Sequence, residues 1–181
     1  MAIEVRKATM SDIGSIKKLI RDSVRGLSRD EYSPRQIKLS IESVFGVDVE
    51  LITDETYFVA QSNGVIVGCG GWSKRRTLYG ASSYTESRNS ALLDPAAEAA
   101  KIRAFFIHPS HARKGIGTVI LDLCESEAVN LGFKSAEMMA TLPGVKLYEK
   151  RGYSGTEQVS IPVGADEHII CVKMAKNLIR G

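Results

Sequence analysis

The stretch from Arg103 to Gly117 reads RAFFIHPSHARKGIG, and the rest of the chain is interpreted outward from it. It passes from an apolar strand through a short turn into a glycine-rich corner that opens a helix. Such a corner turns several backbone N–H groups outward, and with the helix N-terminus they form an anion site that suits a pyrophosphate. Gly115 and Gly117 let a phosphate approach the backbone closely, and Arg113 and Lys114 add positive charge beside it.

Two better-known phosphate motifs do not match this stretch. The chain has no G-x-x-x-x-G-K-[ST] loop, and Gly115 and Gly117 lack the third glycine of the dinucleotide fingerprint, since Ile120 stands in its place. A strand, two glycines and a helix fit a turn that only caps the helix as well as they fit a phosphate site. The rest of the chain therefore has to decide between these two interpretations.

Upstream of this stretch the pattern predicts a hairpin. Residues Thr56 to Gln61 and Val65 to Trp72 read as two strands, and Asn63-Gly64 between them favours a tight turn with positive φ. Lys101 to Ile107 predicts a third, very apolar strand. The stretch from Ser73 to Ala100, polar and then alanine-rich, predicts a long loop or inserted excursion, which is usually functional or mobile.

Capping residues predict where the helices begin and end. Ser33-Pro34-Arg35-Gln36 is typical of a capped first turn, and an earlier helix begins near Thr9 and Asp12. A third helix runs from about Gly115 to Leu131, and a short fourth helix stops at Gly152. These four helices alternate with groups of strands along the chain.

The remaining apolar segments complete the predicted fold. They are strands near Ile3 to Ala8, Lys134 to Ala140, Tyr153 to Val159 and His168 to Ala175. The resulting order favours an α/β (α+β) fold, a mixed, mostly antiparallel twisted sheet of about seven strands flanked by about four helices on both faces. A length of 181 residues suits a single domain over residues 1–181.

The glycine corner and a second block resemble a known family. Residues 112–117, ARKGIG, are similar to the acetyl-CoA-binding motif [QR]-x-x-G-x-[GA] of GNAT N-acetyltransferases, with Ala112 where the family usually has Gln or Arg. Residues 147–153, LYEKRGY, resemble the family's second conserved block. The order of elements resembles the GNAT fold from Ile3 to about Ala175, and Thr141 stands where many members carry an Asn that contacts the pantetheine arm.

The resemblance implies an N-acetyltransferase that uses acetyl-CoA as acyl donor and moves the acetyl group directly to a primary amine of a small molecule or peptide. The end of the fourth strand would pair with the pantetheine arm, and one of its N–H groups would polarise the acetyl carbonyl. Tyr148 would protonate the leaving thiolate, a task that suits a phenol with a pKa of about 10. The implied cofactor-binding residues are Phe106, Ile107, His108, Arg113, Lys114, Gly115, Ile116, Gly117, Thr118, Thr141 and Tyr148.

A base must also remove a proton from the amine, either directly or through water. Glu98, just before the fourth strand, is one candidate, and His108 and Asp94 are others, although a solvated surface role fits each of them better. The residues suggested for the acceptor side, on position in or beside the long loop, are Trp72, Tyr79, Tyr84 and Glu86. A core position fits Trp72 at least as well.

No metal site is predicted. His108 and His111, spaced as H-P-S-H, have no third ligand nearby. The chain has 3 cysteines, far apart and without a CxxC pair, and Cys69 and Cys124 occupy apolar positions that favour the core. The basic run Lys74-Arg75-Arg76 fits a solvated loop face better than a phosphate or an acidic acceptor.

Composition narrows the functional classes further. The formal net charge is +3, from 24 basic and 21 acidic residues, and no interleaved basic and aromatic face appears, so no nucleic-acid partner is predicted. No signal peptide and no membrane-spanning stretch is seen, which predicts a cytoplasmic protein with reduced thiols. The apolar last strand, IICVKM, fits either the homodimer that the resemblance implies or a central strand.

Two alternative functions stay open at this point. One is a CoA-binding sensor or partner protein without catalysis, and the other is an acyltransferase that uses a longer acyl-CoA. The length of the acyl group depends on the pocket beneath the splayed strands, which the sequence does not define.

Overall fold

The computed structural model describes residues 2–179. Its strands are β1 (Glu4–Lys7), β2 (Tyr57–Ser62), β3 (Val65–Ser73), β4 (Ala100–Ile107), β5 (Ser135–Thr141), β6 (Ser154–Gly164) and β7 (Glu167–Asn177). Its helices are α1 (Ile13–Leu27), α2 (Pro34–Glu42), α3 (Val49–Thr53), α4 (Ile116–Asn130) and α5 (Val145–Lys150). The strands form a 7-stranded sheet in the order β1-β2-β3-β4-β5-β7-β6, in which only β4 and β5 run parallel. The predicted fold class is confirmed.

Both hairpins in the sheet turn on two left-handed residues. Asn63 and Gly64, between β2 and β3, have φ of 50° and 76°. Ala165 and Asp166, between β6 and β7, have φ of 48° and 60°. Such turns match the twist of the strands that they join, so the hairpin predicted from Asn63-Gly64 is confirmed.

The start of α2 follows the predicted capping box. The Gln36 backbone N–H donates to Ser33 Oγ (3.1 Å), and the Ser33 N–H donates to Gln36 Oε1 (2.9 Å). The short helix α3 was not predicted, because five residues are too few to show a helical stripe. It begins at Asp48, whose Oδ1 accepts the Glu50 N–H (3.1 Å).

Helices cover both faces of the sheet, and each face has its own core. Alternate residues of β2 divide between them: Tyr57 and Val59 pack with α1 to α3, whereas Phe58 and Ala60 pack with α4 and α5. We call these two faces the α1 side and the α4 side. None of the helices within residues 2–179 is long and apolar enough to cross a lipid bilayer.

A gap opens in the middle of the sheet. Strands β4 and β5 pair only at Ala100↔Ala136 and Lys101↔Glu137, beyond which β4 stays with β3 while β5 continues along β7. A register shift between β3 and β4 accompanies the left-handed backbone of Ala104 (φ 55°). This bulge bends the end of β4, and the two parallel strands diverge.

The segment between β3 and β4, which we call the 74–99 loop, has little regular structure. Arg75 and Leu92 form an isolated antiparallel bridge, and Thr77 and Leu93 are buried beneath it. The Ala81 N–H also donates to the Val44 carbonyl (3.0 Å), which ties the loop to the chain after α2. The predicted long loop is therefore present and is held against the α1 side.

Candidate active site

A cleft lies where β4 and β5 diverge. Its empty space is about 670 Å³ when counted out to open solvent. Residues 44–46 and 78–80, together with side chains of β4 to β7, form its α1 side. On the α4 side it is bounded by Ile102, Phe105, Met138 and Tyr148.

Tyr148 extends from α5 to the cleft. Its ring meets the ring of Phe105 edge to face, with centroids 6.2 Å apart, and the ring of Tyr153 in the same way at 6.1 Å. Within residues 2–179 its hydroxyl has no hydrogen-bond partner, although the residue is only 8 % exposed. Burial raises the pKa of Tyr148, so the phenol stays protonated and can donate a proton into the cleft.

The end of β4 presents backbone groups to the gap. The His108 N–H donates to the Val67 carbonyl (2.8 Å), and the His108 carbonyl accepts the His111 N–H (2.9 Å). Because backbone groups alternate in direction along a strand, Phe106 faces β3 like His108, whereas Phe105 and Ile107 face the gap. This corrects the predicted set for pairing with an added strand: His108 is already engaged, Phe106 points the other way, and Phe105 was missed.

The corner before α4 has the backbone that an anion site needs. Arg113 and Gly115 have left-handed backbones, with φ of 61° and 85°, and a Cβ at Gly115 would meet no atom within 4 Å. The free N–H groups of residues 116–118 begin α4 just beyond. The side chains of Arg113 and Lys114 form no ion pair with any residue in the described part of the chain, so they remain available to a ligand.

Gly117 has a different reason for lacking a side chain than the one predicted. A Cβ there would lie 3.0 Å from Leu147 Cδ2, so the space beside it is filled by α5. Gly117 therefore lets α4 and α5 pack closely, whereas Gly115 leaves open space in front of the corner.

The α1 side of the cleft is built largely from apolar side chains. Phe45 and Phe106 meet edge to face at 5.8 Å, and Tyr79 stands beside them from the 74–99 loop. Met139 and Cys171 contribute from β5 and β7. Burial raises the pKa of Cys171 to about 11, so its thiol is protonated near neutral pH.

A buried network of charges lies behind this wall. Arg103 is 3 % exposed and donates to Asp48 Oδ2 (2.7 Å), the Gly80 carbonyl (2.7 Å) and the Thr77 carbonyl (3.2 Å). Arg88 donates to the same Asp48 oxygen (3.0 Å) and to the Ala81 carbonyl (3.0 Å). We call Asp48, Arg88 and Arg103 the Asp48 network; it joins α3, β4 and the 74–99 loop.

Several residues suggested from sequence lie outside the cleft. Trp72 is buried on the α4 side, where it packs on Phe133 and its indole N–H donates to Glu127 Oε1 (2.9 Å). Tyr84 lies behind Tyr79, and its hydroxyl hydrogen-bonds Glu86 (3.0 Å) and the Pro162 carbonyl (2.9 Å). Of the three suggested aromatic residues, only Tyr79 reaches the cleft.

The three candidate bases also lie elsewhere. Glu98 precedes β4, at the end away from the bulge, and accepts hydrogen bonds from Arg76 (3.1 Å). Asp94 is exposed and accepts the Ala96 N–H (3.0 Å). The His108 ring contacts Ser110 Oγ (2.7 Å) and does not line the cleft.

The basic run and the metal question can be answered for the described residues. Arg75 is held by Asp54 (2.7 Å) and Arg76 by Glu98 (3.1 Å), so neither guanidinium is free for a phosphate. Residues 2–179 contain no cluster of three His, Cys, Asp or Glu side chains that could hold a metal ion. Cys69 and Cys124 are fully buried, as predicted for core positions.

Comparisons with solved structures agree with this architecture. A GCN5-related N-acetyltransferase from Rhodopseudomonas palustris superposes with a TM-score of 0.73 at 17% identity, over 98% of this chain and 96% of that chain. PaiA N-acetyltransferase from Thermoplasma acidophilum, solved with coenzyme A, gives 0.65 at 16% identity, over 98% and 99%. The putative acetyltransferase YncA from Salmonella typhimurium, solved with acetyl-CoA, gives 0.63 at 16% identity, over 100% and 96%.

Comparison of the sequence itself gives the family. No curated protein sequence matches this chain. The profile of the acetyltransferase (GNAT) family matches residues 20–153, which include the β4–β5 gap, the glycine corner and the helix that carries Tyr148. This match covers most of the chain, and the protein belongs to the GNAT acetyltransferase family.

Proposed function

We propose that this protein transfers the acetyl group of acetyl-CoA directly to a primary amine in a ternary complex. The observation that carries the proposal is the β4–β5 gap, with the Tyr148 hydroxyl on one side and an open cleft on the other. A thioester placed in the gap would have its sulfur beside Tyr148, while an amine could approach its carbonyl carbon from the α1 side. The two reactants would thus be held in line, which can supply much of the rate gain.

The donor would be held mainly by backbone groups. The backbone of Phe105 and Ile107 faces the gap and would pair with the pantetheine arm as an added strand does. The pyrophosphate would lie against the N–H groups of residues 115–118, with Arg113 and Lys114 beside it. Thr141, which lines the cleft at the end of β5, would contact the arm from the opposite strand.

The chemistry needs one bond formed and one broken. The amine nitrogen attacks the acetyl carbon, the C–N bond forms, and a backbone N–H of β4 stabilises the oxyanion. The C–S bond then breaks, the thiolate takes the Tyr148 proton, and the proton lost by the amine returns to the phenolate through water. No covalent enzyme intermediate is required.

Calorimetric titration with acetyl-CoA tests the donor site, with desulfo-CoA and adenosine 3′,5′-bisphosphate as comparison ligands. Gly115→Ala and Gly164→Ala are matched variants, because each glycine has a positive φ (85° and 95°) and open space around it. Each alanine costs about 1–2 kcal/mol of backbone strain. Only Gly115→Ala should weaken acetyl-CoA, by about tenfold. Absence of saturable binding at millimolar acetyl-CoA would refute the donor site.

Two alternative functions have distinct outcomes. A CoA-binding sensor, which Ala112 and Thr141 in place of the usual family residues would favour, binds acetyl-CoA but acetylates no amine. An enzyme for longer acyl groups, which the apolar α1 side would favour, binds octanoyl-CoA more tightly than acetyl-CoA. A single domain over residues 1–181, a homodimer and a cytoplasmic location stay predictions.

A further inference from the structure

The α1 side of the cleft offers no charge for an acceptor to pair with. Within residues 2–179, no carboxylate and no histidine lines the cleft. Its side chains there include Val44, Phe45, Phe106, Met139 and Ile161. An acceptor on this side would leave water for an apolar and partly aromatic surface.

Arg103 is the only charged side chain that lines the cleft in the described part of the chain, and it is already engaged. Its guanidinium donates to Asp48, the Gly80 carbonyl and the Thr77 carbonyl, so it has no evident donor left for a ligand carboxylate. Asp48 in turn is shared with Arg88.

The surrounding charges balance. Arg88 also approaches Glu50 (3.5 Å), and Arg75 pairs with Asp54 (2.7 Å). Arg75, Arg88 and Arg103 are therefore matched by Asp48, Glu50 and Asp54. On the adjoining strands Glu137 pairs with Lys101 and Lys173 and does not line the cleft.

We propose that the acceptor is a monoamine whose body is an aliphatic chain or an aromatic ring without a second charge; this rests on the proposed function. A second ammonium would find no carboxylate in the cleft, and an acceptor carboxylate would find no free cation. The same surroundings explain how a neutral amine forms without a protein base, since desolvation lowers the pKa of an ammonium.

Three acceptors of equal length test the proposal: hexylamine, hexamethylenediamine and ε-aminocaproate. They differ only in a terminal methyl, ammonium or carboxylate group. We expect kcat/KM to fall by at least about tenfold from hexylamine to either charged analogue. Equal or better use of the diamine or the amino acid would overturn the proposal.

A substitution in the wall makes the test directional. Met139→Glu places a carboxylate on the α1 side and should raise the ratio of diamine to hexylamine acetylation by at least about tenfold, whereas Met139→Gln should not. If Met139→Glu fails to fold, Leu78→Glu with Leu78→Gln asks the same question from the partly exposed 74–99 loop. An unchanged ratio in a folded glutamate variant counts against the proposal.

The donor titration separates this proposal from the function on which it rests. If acetyl-CoA does not bind, the proposed function fails first. If it binds and charged amines are preferred, only the acceptor class is wrong. If octanoyl-CoA binds more tightly than acetyl-CoA and hexylamine is not acetylated, the apolar wall holds an acyl chain, which also overturns the proposal.

Discussion

The two sides of the cleft are built in different ways. Much of the α4 side and the phosphate corner comes from one continuous stretch, residues 105–118, together with Tyr148. The α1 side is assembled from residues 44–46, 78–80 and 103–106, with further residues from β5, β6 and β7. The first is local in sequence and the second depends on the tertiary fold.

The difference reflects what each side has to bind. A pyrophosphate is held by backbone N–H groups, which a left-handed glycine and a helix start can present within a few residues. An acceptor is selected by side chains, and these can come from any strand or loop that the fold brings near. We therefore expect substitutions that disturb the wall to leave donor binding largely intact, and the reverse.

Loss of the Asp48 carboxylate should have the largest effect. Asp48→Ala leaves Arg103 buried without its counter-ion and removes the cap of α3, and we expect a loss of about 3–5 kcal/mol in the free energy of unfolding. Urea unfolding measures it. Asp22→Ala, which breaks the exposed Lys18–Asp22 pair, is the control and should cost less than about 1 kcal/mol. Similar losses in the two variants would show that the Asp48 network does not hold the wall.

Removing the Tyr148 hydroxyl should affect catalysis and spare stability. Tyr148→Phe keeps the contacts with Phe105 and Tyr153, and we expect kcat to fall by about 10²-fold or more while the melting temperature stays the same. Tyr153→Phe gives the opposite pattern, because its hydroxyl donates to Glu125 (3.0 Å); it should cost about 1 kcal/mol and leave kcat unchanged. A normal kcat in Tyr148→Phe would remove Tyr148 from the mechanism.

The pH dependence of kcat gives a second test of Tyr148. Burial raises the pKa of Tyr148 above that of a free phenol, about 10, so the proton donor is present throughout the neutral and mildly alkaline range. Below the free value the phenol is protonated in both folded and unfolded chains, and deprotonation in the folded enzyme requires a still higher pH. The kcat of the wild-type enzyme should thus show no alkaline decline before about pH 10. A decline centred near pH 8 would point to another proton donor.

The two glycines of the corner should differ in a smaller way. Gly117→Ala places a Cβ 3.0 Å from the end of the flexible Leu147 side chain, which can move, so we expect at most about 1 kcal/mol of destabilisation. Its effect on acetyl-CoA affinity should be weaker than that of Gly115→Ala. Calorimetry on both variants measures the difference, and a larger loss of affinity in Gly117→Ala would contradict the packing role assigned to it.

The contrast between the two sides also explains what the sequence could predict. The hairpin at Asn63-Gly64, the capping box at Ser33 and the glycine corner were predicted correctly, because each depends on neighbours within a few residues. Trp72 and Tyr84 were suggested for the acceptor side from position alone, and both face elsewhere. Only the bulge at Ala104 and the tertiary placement of the 74–99 loop decide which side chains reach the cleft.

Glu98 gives the smallest expected effect. It is paired with Arg76 outside the cleft, so Glu98→Gln should change kcat by no more than about twofold, whereas removal of a general base costs about 10²-fold or more. The acid limb of kcat/KM should then follow the pKa of the acceptor amine and move when hexylamine is replaced by a less basic amine. A limb that stays fixed for different amines, or that disappears in Glu98→Gln, would mean that a protein group takes the proton. In that case the apolar wall would select the acceptor without also generating the neutral nucleophile.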